Sequence, residues 1–135
     1  MRDRVVRCGG WLVATMTASW LLWMTLRPNP QVAARLHPIA SAAETHGLSA
    51  AFVIGTVGNV AVFVPLGMGL AVALKGRAGA ATLIGAGLSL VIEGLQFLLP
   101  SRVSSLVDFV LNSMGVALGA FIVHLTLRKI WRHHD

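Results

Sequence analysis

Four apolar runs dominate the chain: Cys8–Leu26, about Leu48–Leu74, Ala78–Leu99 and about Ser105–Leu127. Each has the ~20 residues that, at ~1.5 Å rise per residue, cross ~30 Å of hydrocarbon. The pattern therefore predicts an all-α integral membrane four-helix bundle occupying residues 1–135 as one domain. Residues 27–47 form a longer connection carrying Pro28, Pro30 and Pro38, whereas Lys75–Arg77 and Pro100–Arg102 read as tight turns. Turns this short predict that the last three spans are antiparallel neighbours.

Composition agrees with that solvent. Hydrophobic residues are 56%, charged residues 12%, and the mean hydropathy is +0.75, where a water-soluble domain carries roughly a quarter charged residues. A soluble enzyme is thereby excluded. The net charge of +6 would ordinarily raise nucleic acid as a partner, but the cations lie between the apolar runs, so no nucleic-acid partner is expected. Arg2, Arg4, Arg7, Lys75, Arg77, Arg128, Lys129 and Arg132 fall on one side, and Arg27, Arg35 and Arg102 on the other. Because Lys and Arg are retained on the cytoplasmic side, both termini are expected inside, N-in/C-in. The first run is too long for a signal peptide's apolar region, and the small residues Ala40, Ser41 and Ala42 lie well beyond its end, so it is expected to stay as an anchor. Cys8 is the sole cysteine, which rules out an intramolecular disulfide. Trp11, Trp20 and Trp23 fit interfacial and lipid-facing anchors.

Polar residues inside the spans carry the functional information. Ionisable groups there cost at least ~2.5–3.5 kcal/mol each on insertion scales, so they face a bundle interior or a cavity. Glu93 and Asp108 are such groups, with Asn59, Ser89, Gln96 and Asn112 around them. Ser89, Glu93 and Gln96 stand at i, i+4 and i+7, on one helical face; Ser105, Asp108, Asn112, Gly115 and Gly119 form one seam on the last span. Taking the Pro100–Arg102 turn as outer, Glu93 lies about 10 Å below it, and the polar residues of three spans converge in the outer half of the bilayer.

Each of these residues also has a purely structural reading. Ser105-x-x-Asp108 has the form of a capping box. Asn59 and Asn112 could bond across helices, an interaction worth ~0.6 kcal/mol on average. Gly67 and Gly115-x-x-x-Gly119 suit close helix packing, and Pro65 would leave the Ala61 carbonyl without its helical partner. Glu93 has no cap to belong to; a pair with Arg102 would explain it, and otherwise it suits a proton donor or a ligand anchor. His133, His134 and Asp135 end the chain, and no metal site is expected there. No phosphate-binding glycine loop, H-E-x-x-H or serine-nucleophile motif occurs, so no cofactor is expected.

The string Asn59-Val-Ala-Val-Phe63-Val-Pro65-Leu-Gly67, then Ser89-Leu-Val-Ile-Glu93-Gly-Leu-Gln96, then Arg102, Asp108 and Asn112-Ser-Met-Gly115-Val-Ala-Leu-Gly119 resembles the VanZ-like membrane proteins, with order and spacing intact over about residues 59–119. One departure is that Ser104 and Ser105 stand where many members carry further acids, which argues against a metal or multi-carboxylate role. The resemblance implies a bacterial multi-pass protein of the cytoplasmic membrane, from a family associated with reduced sensitivity to teicoplanin and other glycopeptides.

Three functions remain open on the residues alone. The first is a non-enzymatic envelope protein whose outer-leaflet pocket, formed by Asn59, Ser89, Glu93, Gln96, Arg102, Asp108 and Asn112, binds a membrane lipid, a lipid-linked cell-wall precursor or a lipoglycopeptide. The second is a membrane enzyme on such a substrate, with Glu93 and Asp108 as acid and base. The third is a structural or accessory subunit. A pore is disfavoured, because no polar stripe runs from face to face.

Overall fold

The structure, a computed structural model, describes residues 2–25, 41, 45, 53–99 and 105–132. Within them lie α1 (Arg2–Thr25), a π-helical turn (Val53–Gly58) that leads directly into α2 (Asn59–Ala73), α3 (Ala78–Phe97) and α4 (Leu106–Arg132). Four segments, Asp3–Met24, Gly55–Ala73, Ala78–Phe97 and Leu106–Lys129, are long and apolar enough to cross a membrane. The second needs the π turn, because α2 alone has 15 residues and would reach only about 22 Å. Most of the connection at 27–47, the start of the second apolar run at 48–52 and the turn at 100–102 lie outside the described residues.

The helix ends differ from the hydrophobic pattern where backbone hydrogen bonding outlasts apolarity. α1 begins at Arg2 rather than Cys8, with Asp3 in its first turn, where an acid complements the helix N-terminus. α4 continues past Leu127 to Arg132. α3 stops at Phe97 rather than Leu99: Leu98 N–H donates to the Leu95 carbonyl (3.2 Å) and Leu99 N–H to the Gln96 carbonyl (3.0 Å), a tightened last turn ahead of Pro100, whose ring disfavours helix in the residue before it.

The turn between α2 and α3 is a Schellman motif. Gly76 N–H donates to the Ala71 carbonyl (2.7 Å) and Lys75 N–H to the Val72 carbonyl (3.2 Å). Lys75 holds φ +57° and Gly76 φ +77°, so the glycine stands one position after the one that usually takes it, and a lysine carries the left-handed strain. Lys75→Gly is accordingly expected to raise stability by about 0.5–1 kcal/mol. Thermal unfolding in detergent checks this, and an unchanged midpoint would show that the turn stores no such strain.

Packing runs in the order α1, α2, α4, α3. α2 has its most extensive contact with α4 and the next with α1, whereas it touches α3 only over a small area; α3 leans mainly on α4. α1 and α2 run in opposite directions, Gly10 meeting Ala73 and Ala14 meeting Gly69, and so do α3 and α4, Gly85 meeting Val116 and Ser89 meeting Asn112. α2 and α4, however, run parallel: Gly115 sits on the Val60 carbonyl and Gly119 on the Val64 carbonyl, while Gly67 sits on the Val116 backbone. The last three spans are neighbours that reverse at each turn, as the short connections led one to expect, but the contact between α2 and α3 is slight and the main partner of α2 is α4. A tight turn dictates reversal but not contact along the helices, and the glycine faces of α2 and α4 offer a closer approach than α2 and α3 can make. Gly67, Gly115 and Gly119 are buried, whereas Pro65 is exposed.

The core is apolar, with Leu21, Phe63, Leu66, Leu70, Ile92 and Val116 among its buried side chains, but so is much of the exterior. Trp11, Trp20, Trp23, Leu83, Phe97 and Phe121 are exposed, while Ser89, Glu93 and Asn112 are buried. Such an arrangement suits a lipid solvent, in which apolar groups lose nothing by facing out and polar groups must satisfy one another inside. The α2 terminus is closed by Arg7, whose Nε donates to the Ala73 carbonyl at 3.2 Å, a cation at a helix C-terminus. His124 ties α4 to the same end, its Nδ1 lying 2.8 Å from the Gly76 carbonyl. Because a carbonyl only accepts, Nδ1 must carry the proton.

Candidate functional site

The site is organised around the start of α4. Ser105 precedes the helix, and its hydroxyl accepts a hydrogen bond from the Asp108 N–H at 3.4 Å, one half of a capping box. In the usual box the acid three residues on would accept the cap residue's own N–H. Here Glu93 of α3 does so instead, its Oε2 accepting from Ser105 N–H at 2.9 Å. Asp108 is thereby released to a third helix, and its Oδ1 accepts from Asn59 Nδ2 at 2.8 Å. α2, α4 and α3 are thus joined through one chain, Asn59–Asp108–Ser105–Glu93. Asn59 is the first residue after the π turn, a widened helical turn of a kind often found at functional positions.

Glu93 is 6% exposed, and Asn59 and Asp108 are half-buried. Deeper in the bundle, Asn112 Nδ2 donates to Ser89 Oγ at 3.1 Å. Ser89 is fully buried and Asn112 is 4% exposed; the Asn112 Oδ1 is buried and has no hydrogen-bond partner among the described residues. Such an orphaned acceptor costs about 1–3 kcal/mol, while an interhelical bond in a membrane contributes only ~0.6 kcal/mol on average. Replacing both partners, as in Ser89→Ala with Asn112→Leu, is therefore expected to leave stability unchanged or raise it. Unfolding by denaturing detergent would measure this, and a marked loss would mean that the polar pair holds the helices together.

Between α3 and α4 the surface opens into a groove of about 380 Å³. Its walls are Leu90, Gly94, Phe97, Leu106 and Phe109, and its polar lining is Glu93 and Ser105. Leu90, Phe97 and Leu106 are among the exposed apolar side chains, so the groove opens on the apolar exterior of the bundle. An apolar trough with one fixed carboxylate has the chemistry to hold an amphiphile, with its chain along the walls and a hydrogen-bonding head at Glu93.

Of the residues singled out in the sequence, Asn59, Glu93 and Asp108 are brought into one network, and Ser89 and Asn112 into a second. Gln96 is half-buried and makes no hydrogen bond to either among the described residues. Arg102, and with it a Glu93–Arg102 pair, lies outside them. Of the described candidates only Glu93 lines the groove. The sequence marks Ser105 as a cap but not its place between the two acids, and it singles out neither Gly94, Phe97 and Phe109 as groove residues nor His124. Apolar residues in a span all look alike in sequence, and which of them faces a partner is decided by helix adjacency.

The sequence profile of the VanZ/LLP1 family matches residues 11–128, taking in most of α1 and α4, all of α2 and α3, and both polar networks. Neither a curated protein nor a solved structure matches the chain. With the match spanning most of the 135 residues and four helices able to cross a membrane, the chain belongs to the VanZ/LLP1 family and is a multi-pass membrane protein.

Proposed function

We propose that this protein lies in the cytoplasmic membrane of a bacterium with both termini inside, and reduces sensitivity to glycopeptide and lipoglycopeptide antibiotics such as teicoplanin by binding an amphiphile. The ligand class is a membrane lipid, a lipid-linked cell-wall precursor or the lipoglycopeptide itself. The observation that carries this reading is the groove between α3 and α4, in which apolar walls surround the Glu93 carboxylate that the Ser105 N–H holds in place. The exposed cations at the end opposite Glu93 support the orientation, and the family supports the antibiotic.

Glu93→Gln tests it, because it keeps the shape and the acceptor facing Ser105 while removing the charge. In a susceptible host, the variant is expected to accumulate like the wild type and to lose protection against teicoplanin. Full protection at normal abundance would overturn the reading. Loss of protection and abundance together would favour a structural or accessory subunit instead.

The enzymatic alternative, with Glu93 and Asp108 as an acid–base pair, is less well supported. The two carboxylates meet through Ser105 rather than directly, and Asp108 is engaged by Asn59. Mass spectrometry of lipids from cells with and without the protein separates the two readings, since binding alone creates no new lipid species.

A further inference from the structure

The contacts among helix ends gather the described cations at one end of the bundle. Arg7 reaches the end of α2 at Ala73, with Arg4 one turn before it. Lys75 and Arg77 belong to the turn that follows. Gly76 of that turn meets His124 and Leu127 of α4, which puts Arg128 and Lys129 beside it. Arg4, Arg7, Lys75, Arg77, Arg128 and Lys129 are all exposed. Among the described residues none of the six is paired with a carboxylate, and Asp3 is the one acid at this end.

The backbone at the end of α2 is already engaged within the bundle. At the end of α2, the carbonyls of Leu70, Ala71 and Val72 accept from Leu74, Gly76 and Lys75 N–H, and that of Ala73 accepts from Arg7. The Gly76 carbonyl receives both His124 and the Ala78 N–H, the latter at 2.9 Å. The turn that carries Lys75 and Arg77 is therefore braced from both sides, and Arg7 is held by a hydrogen bond. Cations on a braced frame lose little freedom when they engage a ligand, and arginine suits phosphate oxygens in particular.

We propose that this end of the bundle is a binding surface for anionic phospholipid head groups, which cations from α1, the α2–α3 turn and α4 engage together. Retaining positive charge on one side of a membrane requires only its presence, whereas a binding surface makes folding stability depend on the lipid. This inference is independent of the groove, which lies toward the other end of α3.

The test uses the full chain in a neutral detergent, with thermal unfolding followed after adding phosphatidylglycerol, phosphatidylcholine or inorganic phosphate. Phosphatidylglycerol is expected to raise the midpoint, phosphatidylcholine to leave it in place, and added salt to reduce the gain, since exposed charges are screened. A variant combining Lys75→Gln, Arg77→Gln, Arg128→Gln and Lys129→Gln is expected to lose the gain. Should it fail to fold, the pair Arg128→Gln and Lys129→Gln, whose side chains make no described hydrogen bond, is expected to lose part of it. Equal shifts with the two lipids, or a full gain in a folded variant, would overturn the proposal. An equal response to inorganic phosphate would also overturn it, in favour of a small-anion site.

Discussion

Gly119→Leu is expected to abolish the folded protein. A Cβ at position 119 would lie on the Val64 carbonyl oxygen and near the Met68 amide nitrogen, and one at position 115 on the Val60 carbonyl. These obstacles are backbone, which has no rotamer to move out of the way. Overpacking a core costs typically about 1–3 kcal/mol and at times more, against a total stability of roughly 5–15 kcal/mol. Even Gly119→Ala should fall in that range, and a leucine has further atoms to place in the same gap. The damage would spread to the site, since separating α2 from α4 draws Asn59 away from Asp108. Gly87→Leu on α3 is the control: a Cβ there meets nothing within 4 Å, so normal yield is expected. Size-exclusion chromatography after detergent extraction reads the difference. A monodisperse Gly119→Leu protein at wild-type yield would contradict the parallel α2–α4 seam.

Gly94→Phe should have the largest effect on function without an effect on folding. Gly94 lines the groove, yet a Cβ built on it meets no atom within 4 Å, and phenylalanine is the better helix former by a few tenths of a kcal/mol. The ring would occupy the trough between Phe97, Leu106 and Phe109 where the chain of an amphiphile is proposed to lie. Teicoplanin protection is expected to fall to that of cells lacking the protein, with abundance and thermal midpoint unchanged. Gly87→Phe places the same ring elsewhere on α3 and is expected to keep full protection. Equal protection by both variants would mean that the groove is not used.

Together these variants and Glu93→Gln separate three properties that α2, α3 and α4 combine. The α2–α4 seam carries stability, the Asn59–Asp108–Ser105–Glu93 chain orients a carboxylate, and the α3–α4 groove gives that carboxylate an apolar surround. Glu93 belongs to the last two, which makes it the most informative single position on function.

The helices themselves were legible in the sequence, because a residue's preference for hydrocarbon is local and four runs of sufficient length declare it. The candidate polar residues were legible for the same reason, since Glu93, Asp108 and Asn112 contradict their surroundings. Gly115-x-x-x-Gly119 announced a close contact without naming its partner, and the Ser105–Asp108 spacing announced a cap without showing that its second acceptor comes from Glu93, twelve residues earlier.

What the chain determines by itself is its solvent, the number of its spans and the short list of side chains that lipid would not tolerate outside. The tertiary structure decides which spans touch: α2 lies parallel to α4 rather than along α3. From that choice follows the pairing of Asn59 with Asp108, while the packing of α3 on α4 brings Glu93 to the Ser105 N–H and opens the groove beside it. The physical reason is one of range. Hydropathy and hydrogen bonding within a helix act over a few residues, whereas backbone approach at Gly67, Gly115 and Gly119 involves helices about fifty residues apart, and only the fold brings those together.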